Sequence, residues 1–136
     1  MRLLILGASA RAAAFSALRA GYTPMAIDLY GDADLAAQCV SRRSSRYPLD
    51  LPSLARDFPS APWIYTGALE NRPALIDEIG KMRVLQGNPG GVLRAVRCPF
   101  RLADALRADG LPSPDIRKSN PPPGKVRWLR KPLKSS

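Results

Sequence analysis

Residues 1–30, MRLLILGASARAAAFSALRAGYTPMAIDLY, decide how this chain folds. The run LLIL at residues 3–6 is continuous, apolar and too short for a helix, so it reads as a strand buried on both faces, and Gly7 ends it. From Arg11 the chain turns alanine-rich. Ala12, Ala13, Ala14, Ala17 and Ala20 combine helix propensity with small side chains that let a helix lie close on a sheet, and Gly21 supplies the stop. Pro24 opens a second apolar run, residues 25–27, which Asp28 closes. Strand, glycine turn, helix and strand make a parallel crossover unit, and the unit predicts a three-layer α/β domain with a mainly parallel sheet.

Asp28 lies 21 positions beyond Gly7. At that spacing a Rossmann-like unit holds a ribose on the acidic residue and a phosphate on the glycine turn and the helix N-terminus that follows. The glycines depart from the dinucleotide fingerprint: where it has G-x-G-x-x-G, this chain has Gly7, Ser9 and Ala12. A doubly wound half-domain is therefore expected over a working NAD(P) site, and a free-standing NAD(P)-binding module is the alternative.

Further along, Asp32 can cap a short helix ending near Cys39, and residues 40–44 read as a polar edge strand. Leu51, Leu54, Ala55 and Phe58 recur at helical spacing. Trp63, Ile64 and Tyr65 are a core strand by composition, and Thr66 and Gly67 should open toward the crevice at its end. Pro73 starts a helix that Gly80 stops, Val84 and Leu85 suggest a short strand, and two more helices follow, one from Val92 and one from Pro99 to Asp109 with Gly110 beyond. The prolines at 112 and 114 force an extended run, and NPPPG at residues 120–124 reads as a stiff linker. From about Asn120 onward the chain is expected to be poorly ordered on its own.

The length of 136 residues fits one domain and excludes a complete two-domain enzyme. No histidine is present, which removes a His-based triad, imidazole metal ligands and a histidine general base, and Cys39 and Cys98 are too isolated for a zinc site or disulfide framework. They read as buried fillers in a reducing compartment. Arg2, the apolar run and the small residues at 8–10 mimic a signal peptide, but four apolar residues fall short of the roughly seven such a segment needs. A soluble, cytoplasmic chain with no membrane partner is expected. The net charge of +10 is lopsided: up to Arg83 there are 10 Lys and Arg against 8 Asp and Glu, and from Arg94 onward 11 against 3. Such a tail suits a phosphate ligand or a partner segment. It lacks the interleaved aromatics of a nucleic-acid groove, which argues against nucleic acid and leaves a basic interaction protein as a further alternative.

The last stretch, KVRWLRKPLKSS at residues 125–136, brings Trp128, Leu129, Arg130, Lys131 and Pro132 together behind a helix and the words LADALRADGLPSPDIR. This resembles the opening of an ATP-grasp domain, in which a strand ends in a lysine and proline before a Gly-rich loop over the ATP phosphates. The rest of the chain resembles that superfamily's N-terminal subdomain: Gly7 to Arg11 stand at its first turn, Asp28 at its acidic strand end and Asn88 to Leu93 at its next helix. One departure is Arg97, Cys98 and Pro99, where such families commonly place an aspartate and a lysine. The resemblance implies residues 1–117 as a Rossmann-like pre-ATP-grasp domain, and residues 118–136 as a linker and an incomplete C-terminal strand of a truncated ATP domain. It further implies an ATP-dependent carboxylate ligase working through an acyl phosphate with ATP and magnesium in the intact enzyme, while this chain alone is inactive. Lys131 is then the ATP-phosphate contact, Gly7, Ser9, Arg11 and Asp28 hold a small-molecule acceptor, and no catalytic or metal residue falls within the chain. A homo-oligomer stays open.

Overall fold

The computed structural model describes residues 1–118 and 127–133. Four strands, β1 (Arg2–Gly7), β2 (Thr23–Asp28), β3 (Val40–Arg43) and β4 (Trp63–Tyr65), form one sheet of order β3-β2-β1-β4 in which every pairing is parallel. The crossovers carry α1 (Arg11–Arg19), α2 (Ala33–Gln38) and α3 (Leu51–Asp57). After β4 come a single 3-10 turn, Leu69–Asn71, and then α4 (Pro73–Gly80), α5 (Gly90–Val96) and α6 (Pro99–Ala108). The three-layer α/β expectation holds. No helix among the described residues is long and apolar enough to cross a membrane.

Alternation along β1 builds the two cores. Leu3 and Ile5 pack with Ala14 and Ala17 of α1 and Leu35 of α2, while Leu4 and Leu6 pack with Leu51 and Ala55 of α3, Ile76 and Ile79 of α4 and Leu93 of α5. Each large apolar side chain so buried contributes about 1.5–3 kcal/mol, well above any difference in strand propensity, so burial decides that residues 3–6 form a strand. The α1 face is made of alanine because the helix lies against the sheet with little room between. Pro24 is tolerated inside the sheet for a directional reason: Thr23 N–H donates to Met1 O toward β1, so the next position points toward β3, whose pairing begins only at Met25.

The helices end as expected. Tyr22 N–H donates to Ala17 O and Gly21 N–H to Leu18 O after α1, and Leu111 to Leu106 and Gly110 to Arg107 after α6, the double closure of a left-handed C-terminal stop. The strand expected at Val84 and Leu85 shrinks to one parallel bridge, Trp63 with Leu85, because Val84 stands 66% exposed and gives the run nothing to bury. Residues 127–133 are irregular and form no strand, and the linker at residues 120–124 and Lys134 lie outside the described residues. Cys39 and Cys98 are half-buried rather than buried.

Three polar side chains fasten turns and helix ends. Arg83 donates to Ala55 O, Phe58 O and Pro59 O at 2.6, 2.5 and 2.7 Å, satisfying carbonyls at the end of α3. Asp77 of α4 accepts Gly90 N–H at 2.9 Å and Arg94 at 2.7 Å, fastening the start of α5. Asp50 accepts the amides of Ser45 and Arg46, each at 3.0 Å, and the hydroxyl of Ser44.

Two predictions follow from this packing. A Cβ on Gly90 would stand 2.3 Å from Pro73 O, a backbone atom that cannot move aside, whereas one on Gly91 meets nothing within 4 Å. Gly90→Ala is expected to destabilise by about 1–3 kcal/mol in urea unfolding, and Gly91→Ala to stabilise by about 0.5–1 kcal/mol as helix propensity takes over. For Asp50, burial pushes the carboxyl up, but the hydrogen bonds from Ser44, Arg46 and Ser45 outweigh it and hold the pKa below the usual carboxylate value. A depressed folded-state pKa means stability that is present above the unfolded value of about 3.9 and is lost as pH falls through the folded one. The urea midpoint should therefore hold near neutrality and drop below about pH 4, and Asp50→Asn should flatten part of that drop.

Candidate functional site

In an open parallel sheet, ligands bind beyond the carboxyl ends of the strands, where strand order reverses. Here β2 and β3 lie to one side of β1 and β4 to the other, so the reversal falls between β1 and β4. Gly7, Ala8 and Ser9 leave β1 at this point, and Thr66, Gly67 and Ala68 leave β4.

These two turns are locked together. A Cβ on Gly7 would lie 1.7 Å from Thr66 Oγ1, so the first glycine is required because Thr66 fills the space beside it. Thr66 Oγ1 donates to Ser9 O at 2.9 Å and Thr66 N–H donates to Leu6 O at 2.8 Å. Thr66 is thus half-buried, while Gly67 is open, as expected for the crevice. Ala68 adopts φ +76°, a left-handed backbone that a non-glycine residue occupies at a cost of about 1–2 kcal/mol. Such strain persists where the surroundings impose it, often beside functional sites. Arg97, at the end of α5, donates to Asn71 Oδ1 at 2.5 Å and stands 3.8 Å from Glu70 Oε1, so it anchors the turn that Ala68 opens.

The residues singled out from sequence fall in two places. Gly7 and Asp28 are register partners across β1 and β2. Asp28 is 1% exposed: its Oδ1 accepts Gly31 N–H at 2.8 Å, and its Oδ2 has no partner among the described residues. Burial, and secondarily the Asp28 charge, push the Cys39 thiol pKa up. Ser9 is exposed and caps nothing, since α1 has Ala10 at its N-cap, no side-chain cap and no acid in its first turn. Arg11, beside it, is committed to Asp34 of α2, with Nη2 2.5 Å from Oδ2, and its guanidinium lies 5.7 Å from the Phe15 ring centroid. Lys131 is elsewhere. It lines an open groove of about 1120 Å³ bounded by Phe100 of α6, Arg117 and Trp128, a groove that none of Gly7, Ser9, Arg11 and Asp28 reaches.

Trp63 is fully buried as expected, whereas Tyr65 is half-buried and sends its hydroxyl to Asn88 O at 2.8 Å. Tyr47 was not singled out from sequence. It packs on the larger core with its hydroxyl buried and without a partner among the described residues, and burial, then Glu70, push its pKa up to about 12. The same causes push Tyr65 up. Both phenols therefore stay protonated donors at neutral pH beside the Glu70 turn. Among the described residues no group of three or more His, Cys, Asp or Glu is placed to hold a metal ion.

The Gly7 and Thr66 contact makes a sharp prediction. Gly7→Ala alone should cost about 2 kcal/mol or more, Thr66→Gly alone about 1 kcal/mol, and the double variant less than their sum, because the clash exists only when both side chains are present. Additive costs in chemical denaturation would show that the two turns do not touch.

No protein-family model matches the chain, no curated protein matches it in sequence, and no solved structure matches it in fold.

Proposed function

We propose that this chain is the N-terminal subdomain of an ATP-grasp-type, ATP-dependent carboxylate ligase together with the opening of its ATP domain. One arrangement carries the reading: the topological switch point at the β1 and β4 turns is followed, through α4, α5, α6 and an extended proline-bearing run, by a separate cationic groove that Lys131 lines. Those are two anion-holding places in the chain order that the sequence resemblance implies, acceptor first and ATP phosphates second. At the crevice, the uncapped amides of α1 and the exposed Ser9 hydroxyl suit an anionic group on the acceptor. Arg11 takes part by leaving Asp34, an exposed pair worth at most about 1 kcal/mol.

At the groove, Lys131 is exposed and is joined by Arg117 and Arg127, a donor set that fits phosphate oxygens. The one acid among the groove's described lining residues, Asp115, is bonded to Arg117, so no magnesium ligand is assigned there and no step is routed through the metal. The NAD(P) alternative would need Asp28 open to a ribose, but that carboxylate is buried and already caps Gly31.

The test joins this chain to the segment encoded beyond Ser136 and titrates it with ATP and magnesium. Lys131→Ala should weaken ATP by about 1.5–3 kcal/mol, the loss of a charged hydrogen bond, and Lys134→Ala should do much less. Equal effects of the two substitutions, a thermal shift with NAD but not ATP, or a downstream sequence without glycines and acidic residues would each overturn the reading.

A further inference from the structure

The groove beside α6 has features that a nucleotide does not use. Its lining carries four cations: Arg97, which is held by Asn71 and Glu70, Arg117, which is bonded through Nε at 2.9 Å to Asp115, the one acid among its described lining residues, and Arg127 and Lys131. Arg127 and Lys131 have no partner among the described residues. Its walls are apolar and wet: Val96, Leu129 and Leu133 stand 49%, 79% and 66% exposed. Exposed apolar surface rimmed by charge marks a contact surface rather than a solvent face.

From this groove we infer a docking surface for an acidic peptide segment of a partner protein, one that carries apolar side chains among its carboxylates. The inference goes beyond the ligase reading and does not depend on it. Charge selects the occupant. A second copy of this chain would bring a further +10 to a surface already cationic, so self-association is opposed. A single-stranded nucleic acid satisfies the cations but needs free ring faces for its bases. Here the Arg117 guanidinium lies 5.4 Å from the Trp128 ring centroid and Lys118 Nζ 4.9 Å from that of Phe100. Nucleic acid would also leave Leu129 and Leu133 in water. A peptide covers both kinds of surface: carboxylates meet the rim and apolar side chains cover the leucines. Arg117, held over the Trp128 ring and against Asp115, is presented in a fixed place, which lowers the ordering cost of binding.

The experiment uses the full chain and a fluorescein-labelled peptide of glutamates alternating with phenylalanine and leucine, read by anisotropy. The expected result is saturable binding that sodium chloride weakens and that Arg117→Glu with Arg127→Glu weakens at least about tenfold. Leu129→Ser with Leu133→Ser should weaken it comparably, as should a peptide with its apolar residues replaced by serine. Arg117 and Arg127 also stand in the phosphate donor set above, so the leucine pair, which removes no cation, separates the two readings: it should lose the peptide and leave the ATP titration unchanged. All four positions are exposed, and thermal melts should match the wild type; if the charge reversals unfold the chain, Arg127→Gln alone serves, with a smaller loss of the same sign. Equal binding by wild type and variants, tighter binding by oligothymidylate of equal charge, or a concentration-dependent dimer lost in the leucine variant would overturn the proposal.

Discussion

β1 is paired along its whole length with β2 on one side and along Leu4 to Leu6 with β4 on the other, and its side chains alternate between two cores. A strand so placed cannot slip by one residue without exchanging its two faces, one built for alanine and the other for leucine, isoleucine and tryptophan. That asymmetry fixes the register of the sheet. It also fixes where the turn after β1 emerges, and hence where the crevice lies.

Side chains that reach back to the main chain shape the crevice. Thr66 fills the space beside Gly7 and binds Ser9 O, Asp28 binds the Gly31 amide, and Arg97 holds the turn that follows the strained Ala68. Each contact uses a group that sequence position alone would offer to a ligand. The turn is consequently rigid, with the geometry of its free amides set before anything binds.

This explains which features were legible in the sequence. Residues 3–6, the alanine-rich helix, the glycine stops at 21 and 110 and the Trp63 strand were readable because periodicity and turn chemistry are local. The reach of Arg83 to Ala55, of Thr66 to Ser9 and of Arg97 to Asn71 spans 28, 57 and 26 positions, and no local pattern encodes it. Asp28 shows the division within one residue. Its place at a strand end was legible, and so was its capping of the next turn, three residues on at Gly31, while the isolation of the other oxygen depends on tertiary packing. Arg97 was noticed only as a departure from a motif, and its hold on Asn71 became apparent once α5 lay against α4.

The same distinction bears on charge. Several arginines around the sheet are spent on structure: Arg11 on Asp34, Arg42 on Asp57, Arg43 on Leu29 O, Arg83 on the end of α3 and Arg94 on Asp77. Exposed pairs of this kind add little stability each, but they neutralise the surface around the sheet. Beyond α6 the cations gather with few acids, so the excess charge is local. Confining the repulsion to one groove, away from both cores, limits its cost to the folded state and concentrates the field where an anionic group can enter. The surface around the parallel sheet can therefore stay nearly neutral while positive charge gathers along the groove.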